Sequence, residues 1–150
     1  NSGAHSRVND TPRWITEGIG QMFEPEAMTD PRGATQLADR VNRESLQYLR
    51  QKIATKNSGQ FVQTAMQLVS NDMMFKNEKQ IKEAYAVAWA MMFYLAERQP
   101  KAFGQLLNET AGRRPFQTYQ RSDRIADLER IIGTDTFEFS KKTLRYMESL

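Results

Sequence analysis

Apolar positions recur along this chain at spacings of three and four, and no segment shows the alternation expected of a half-buried strand. The pattern predicts an all-α fold of six to seven helices. The first is placed from Pro12 to Phe23 or Glu24, with Thr11 or Asp10 as its cap and proline at the first helical position. Residues 25–35 carry Pro25, Pro31 and Gly33 and read as a loop. A polar helix over 43–55 has an apolar stripe of Leu46, Leu49 and Ile53, ended by Asn57-Ser58-Gly59, and the next, over 60–70, turns Phe61, Ala65, Leu68 and Val69 inward.

The helix read over 77–98 differs from these. Its second half is apolar on nearly every side, through Ala84, Tyr85, Val87, Trp89, Met91, Met92, Phe93 and Leu95, which places it at the centre of the fold, with the two methionines and Trp89 in the core. Pro100 restarts a helix to about 110 that uses Phe103, Leu106 and Leu107, and Gly112–Gln120 is a connection. Ser122 or Asp123 is expected to cap a helix carrying Ile125, Leu128, Ile131 and Ile132, stopped by Gly133. Asp135 or Thr136 opens the last helix, with Phe139, Leu144, Met147 and Leu150 facing inward.

Composition narrows the function classes. With no cysteine among 150 residues, disulfides and thiolate metal sites are excluded. A net charge of +3 gives no case for nucleic acid, and the basic stretch Arg40, Arg43, Arg50, Lys52 and Lys56 and the pair Arg113-Arg114 read as solvated faces. The longest uncharged apolar run, Ala84 to Ala96, has thirteen residues. A membrane span needs about 20, so no membrane span is expected.

The informative stretch is Pro12-Arg13-Trp14-Ile15-Thr16-Glu17-Gly18-Ile19-Gly20-Gln21-Met22-Phe23-Glu24. A glycine inside a helix costs about 1 kcal/mol relative to alanine. Two of them, Gly18 and Gly20, within about one turn call for an offsetting close approach of another backbone. Gly20 and Gln21, three and four positions after Glu17, share a face with its carboxylate, and Trp14 flanks it three positions before. The close approach is therefore expected on the Glu17 face. Glu24 reads either as a helix-end carboxylate or as an anchor for a substrate amine.

This stretch resembles the Trp-x-x-Glu-Gly-x-Ala segment of the gluzincin clan of zinc metallopeptidases, most closely its uncharacterised bacterial peptidase-like branch. Ala84-Tyr85 through Leu95, with Tyr85 68 positions beyond Glu17, is similar to the clan's tyrosine-initiated apolar helix. The resemblance implies that the chain is the helical C-terminal subdomain of a larger metallopeptidase-like domain, arranged around the central helix 77–98. Glu17 would be the third zinc ligand, beside Trp14, Gly18 and Gln21. The other two ligands would be histidines of a His-Glu-x-x-His helix lying before Asn1, with residues 1–11 as the loop that follows it. Two histidines at i and i+4 occupy one helix face, and a carboxylate from a second helix leaves the fourth position for water. His5 is the only histidine here and reads as a loop residue. Tyr85 reads either as a donor to the oxyanion or as a core tyrosine with a satisfied hydroxyl. Gly20 stands where the clan has alanine, and Gln21 where some members place an acidic partner for a ligand histidine, which bears on metal affinity more than on fold.

On this resemblance the intact protein binds Zn2+ and hydrolyses a peptide or protein substrate. The fragment itself would be inactive and metal-free, and able to dimerise through the surface that the missing helix would cover. Export to the periplasm or medium is implied only by analogy. A non-catalytic helical interaction module, or a peptidase fold that has lost catalysis, is the competing reading.

Overall fold

A computed structural model describes residues 11–30, 33, 35–54, 58–112 and 119–150. The expectations for the loop 1–11 up to Asp10, for His5, Asn57, Arg113 and Arg114, and for the Ile53 side chain lie outside the described residues.

The described chain is helical, without strands. Eight α-helices follow one another: α1 Arg13–Met22, α2 Leu37–Arg40, α3 Arg43–Leu49, α4 Ser58–Ser70, α5 Ile81–Arg98, α6 Pro100–Ala111, α7 Arg121–Ile132 and α8 Thr136–Ser149. α3 continues into a π-helical turn, Arg50–Ala54, and short 3-10 turns lie at Glu26–Thr29 and Met73–Lys76. Seven of the helices match the sequence pattern. The additional one, α2, is a single turn that apolar periodicity is too short to register.

α5 is the centre. Ala84 and every residue from Ala86 to Leu95 are buried, so all its sides are covered. α1, α3, α4, α6 and α8 all pack against it. Its start is later than the sequence suggests. The Asn77 side chain accepts the N–H of Lys79, which sets a local turn, and the helix opens only at Ile81. The inward stripes of α4 (Phe61, Ala65, Leu68, Val69) and α8 (Phe139, Leu144, Met147) are buried as the 3.6-residue period requires.

The glycines of α1 divide the work differently from the sequence reading. Trp14, Ile15, Gly18 and Met22 form the buried stripe. At Gly18 a Cβ would lie 2.6 Å from the Ala88 carbonyl oxygen and 2.6 Å from Met92 Cγ, so the two backbones meet there. At Gly20 a Cβ would meet nothing within 4 Å. The close approach is thus on the Gly18 face. Glu17, about 100° around the helix from Gly18, stands on the flank.

Capping also departs from the sequence reading. The N-cap of α1 is Pro12, with no side-chain cap from Thr11, and the Arg13 N–H donates to Asp72 Oδ1 at 3.1 Å. The same Asp72 oxygen pairs with Arg124 Nη2 at 2.9 Å. Arg124 is 9% exposed, and its guanidinium also donates to the Val69 and Leu68 carbonyls at 2.9 and 3.0 Å. These are carbonyls of the last turn of α4, which lack helical partners and attract a cation. One buried arginine therefore ties the first turn of α7 to the end of α4 and, through Asp72, to the start of α1. Neither Ser122 nor Asp123 caps α7. The helix starts at Arg121 after extended Gln120, in register with the Arg124 anchor. Gly133 ends α7 with φ 74°, and Asp135 caps α8 through the Glu138 N–H at 2.8 Å, as the sequence suggests.

Arg40 is also no solvated cation. It forms two hydrogen bonds to Glu97, at 2.7 and 2.9 Å, which fasten α2 to the end of α5.

Three stability outcomes follow. Gly18→Ala should lower unfolding free energy by about 1–3 kcal/mol through overpacking, whereas Gly20→Ala should raise it by about 0.5–1 kcal/mol. Arg124→Met should cost about 3 kcal/mol, because Asp72 and two helix-end carbonyls lose their donor. Urea denaturation of each variant checks all three.

Candidate functional site

α1 presents Glu17 from a helix whose rotation is fixed, because its buried face is locked against α5 at Gly18. The Glu17 side chain is 25% exposed and faces Arg13 one turn earlier, Nη2 to Oε2 being 3.6 Å. Arg13 is itself seated over the ring of Phe75, 5.5 Å from its centroid, and Phe75 meets Tyr85 edge-on at 5.7 Å. The Tyr85 phenol is raised above its ordinary value near 10, first by burial and then by the charge and hydrogen bonding of Glu17, with Arg13 opposing. Glu17 and Tyr85, 68 positions apart in sequence, are thus neighbours, with Arg13 alongside.

The residues flanking Glu17 have other duties. Trp14 is a core side chain, 2% exposed. Gly18 is the backbone contact with α5. Gln21 is a tether: its carbonyl accepts from Asn42 Nδ2 at 2.9 Å, its Oε1 accepts from Asn42 Nδ2 at 3.3 Å and from Ser45 Oγ at 3.4 Å, and its Nε2 donates to Glu24 Oε1 at 3.2 Å. Asn42 in turn caps α3 by accepting the Ser45 N–H at 3.1 Å. The Gln21 amide is committed to joining α1 to α3.

Between α1, α3 and α5 lies a cavity of about 210 Å³, lined by Gln21, Glu24, Glu44, Ser45, Tyr48, Lys82, Tyr85 and Ala86. Tyr85 therefore belongs both to the surroundings of Glu17 and to this cavity. Tyr48, on the α3 wall, is also raised, by burial first and then by the charge of Glu83. Sequence reading did not reach Glu44, Ser45, Tyr48 or Lys82. The asparagine directly before α3 was a readable cap signal, but nothing local pairs α3 with α1.

A larger apolar groove of about 770 Å³ runs past Leu37, Val41, Leu46 and Leu150, away from Glu17. The exposed large apolar side chains are scattered, Phe23 just after α1 and Leu37, Met66, Met73 and Phe137 on four different elements. No helix among the described residues is long and apolar enough to cross a membrane. Among those residues, no group of three histidine, aspartate or glutamate side chains converges in a way that could hold a metal ion. Glu17 offers one carboxylate donor.

The family described as protein of unknown function, DUF1570, matches over residues 1–117, and the chain belongs to that family. No curated protein and no solved structure matches the chain.

Because Glu17 holds the Tyr85 proton on, Glu17→Gln should bring the Tyr85 titration back toward the ordinary phenol value, short of it because burial remains. The sign for stability follows. A phenol raised in the folded state favours folding below its unfolded value near 10, and that contribution is lost as pH rises through the folded value. NMR titration of the tyrosine Cζ resonances in the two forms checks the shift.

Proposed function

We propose that this member of the DUF1570 family is the helical subdomain of a zinc-dependent peptidase, and that Glu17 supplies one of three protein ligands to the metal. The observation that carries the reading is the pairing of Glu17 with Tyr85 on a helix whose other flank is clamped to the core. Among the described residues the cation that faces Glu17 is Arg13, at 3.6 Å, and this loose pairing beside Tyr85 favours a carboxylate that can turn to a ligand. The outward face of α1, with Thr16 and Gly20 exposed, gives a second helix room to come close, since no Cβ at Gly20 stands in the way. The resemblance of residues 12–24 to the gluzincin segment supplies the metal and the two histidine ligands, which this chain does not contain.

The residues present fit the part of one ligand and one hydrogen-bond donor. Zinc, when bound, brings the pKa of a bound water toward about 7 and polarises a carbonyl. Glu17 would hold the metal through its carboxylate, with Arg13 alongside. Tyr85, whose raised pKa keeps its proton on through neutral pH, would donate a hydrogen bond to the substrate carbonyl oxygen as negative charge develops there. The Phe75 ring fixes the Tyr85 ring from the side.

Full-length protein purified without added chelator should carry about one zinc per chain by elemental analysis. Glu17→Ala should weaken zinc binding by at least about 100-fold, more than the loss of a partner behind a ligand costs. Tyr85→Phe should leave zinc content intact and lower kcat by about 10²–10³-fold. A wild-type protein that holds no zinc would overturn the reading.

A further inference from the structure

The cavity between α1, α3 and α5 has walls, a charge and a location that together fit a ligand. Tyr48, Tyr85 and Ala86 offer apolar surface, while Glu24 and Glu44 place two carboxylates on its lining. Glu24 is held in place. Gln21 Nε2 donates to its Oε1 at 3.2 Å, and Asn42 Nδ2, on a residue 4% exposed, reaches its Oε2 at 3.5 Å. Among the described residues neither Glu24 nor Glu44 makes an ion pair, and Lys82, the cation on the described lining, pairs with neither. The lining thus carries two carboxylates against one ammonium, a net charge of −1 at neutral pH with both tyrosines protonated.

The geometry points to this cavity as the subsite for a basic side chain, lysine or arginine, of a peptide ligand. A volume of about 210 Å³ is of the size of one long side chain. Its methylenes would lie along Tyr48 and Ala86, and its cationic head would replace water at Glu24 and Glu44, where two carboxylates without cationic partners gain a charge-assisted hydrogen bond. A neutral chain of equal length gains only the apolar contact, so the cavity would discriminate by charge. The walls are pre-built by the Gln21–Asn42–Ser45 bonds, so occupancy orders little besides the ligand. Because Tyr85 lines the cavity and also touches the surroundings of Glu17, the rest of the peptide would run past the proposed reacting centre. That last step rests on the peptidase reading. Selective binding of the basic side chain does not.

The test uses full-length protein and two probes, acetyl-Ala-Lys-Ala-amide and the same peptide with norleucine for lysine. Calorimetry on metal-stripped protein should show the lysine peptide binding at least about 10-fold tighter. Glu24→Gln and Glu44→Gln should each reduce that ratio, and the double variant should bring it near one. Glu44→Lys, a change at an exposed helix start, should invert the preference without threatening the fold. If the zinc-loaded protein cleaves peptides, kcat/KM should follow the same lysine preference, mainly through KM. Equal binding of the two probes, or a preference that survives the double variant, would overturn the subsite. Cleavage without lysine preference would overturn the subsite and leave the peptidase reading standing. Selective lysine binding by a protein that holds no zinc and cleaves nothing would support the subsite and overturn the peptidase reading.

Discussion

The contact between Gly18 and the Ala88 carbonyl is the constraint on which the candidate site depends. It brings one backbone against another, so the separation of α1 and α5 is set by main-chain atoms that cannot change rotamer. Once that separation is fixed, the rotation of α1 is fixed too, because only the glycine edge can face Ala88. Trp14, Ile15 and Met22 then fall into the core. Glu17 has no freedom but to stand on the flank, where Tyr85 of α5 already projects. The neighbourhood of carboxylate and phenol is thus a consequence of helix packing, reached without any long-range polar design.

A second layer of order comes from polar side chains that act at a distance in sequence. Asp72 completes the start of α1, and Arg124 completes the end of α4. Each supplies a group that the helix cannot find among its own neighbours. Because Asp72 and Arg124 also pair with each other, the beginning of α1 is coupled to a helix more than a hundred residues later. Gln21 performs a comparable service at the other end of α1, spending both ends of its amide and its own carbonyl on Asn42, Ser45 and Glu24. The two ends of the helix that carries Glu17 are therefore held by different parts of the chain.

Most of the helices could be read from the sequence, because burial of a stripe every three or four residues is a local property of the chain. The central place of α5 was legible for the same reason: an apolar surface on all sides has nowhere else to go. What escaped was whatever depends on partners from elsewhere. Helix starts at 13, 81 and 121 go with Asp72, with a turn at Asn77 and with the Arg124 anchor, and Thr11, Ser122 and Asp123 were the wrong guides. The two glycines of α1 announced a close approach, but periodicity assigns faces only relative to one another, and it was the burial of Trp14 and Ile15 that decided which glycine touched α5. Glu17 was singled out by the two glycines beside it, and Tyr85 by the resemblance of its helix to a gluzincin one. That they would meet was beyond local pattern, as was the cavity, whose α3 wall has no sequence signature linking it to α1. The metal and its chemistry rest on the resemblance of a short segment to the gluzincins, and membership of the DUF1570 family neither adds to nor subtracts from that.

The burial of α5 on every side has a consequence for the order in which the chain is made. α1, α3 and α4 leave the ribosome before α5 exists, and each is a short helix whose apolar stripe has no lasting partner until then. Helices of ten or so residues are marginal in water by themselves. α1, α3 and α4 therefore gain the partner they share only when α5 emerges, and their packing against it can be completed only then.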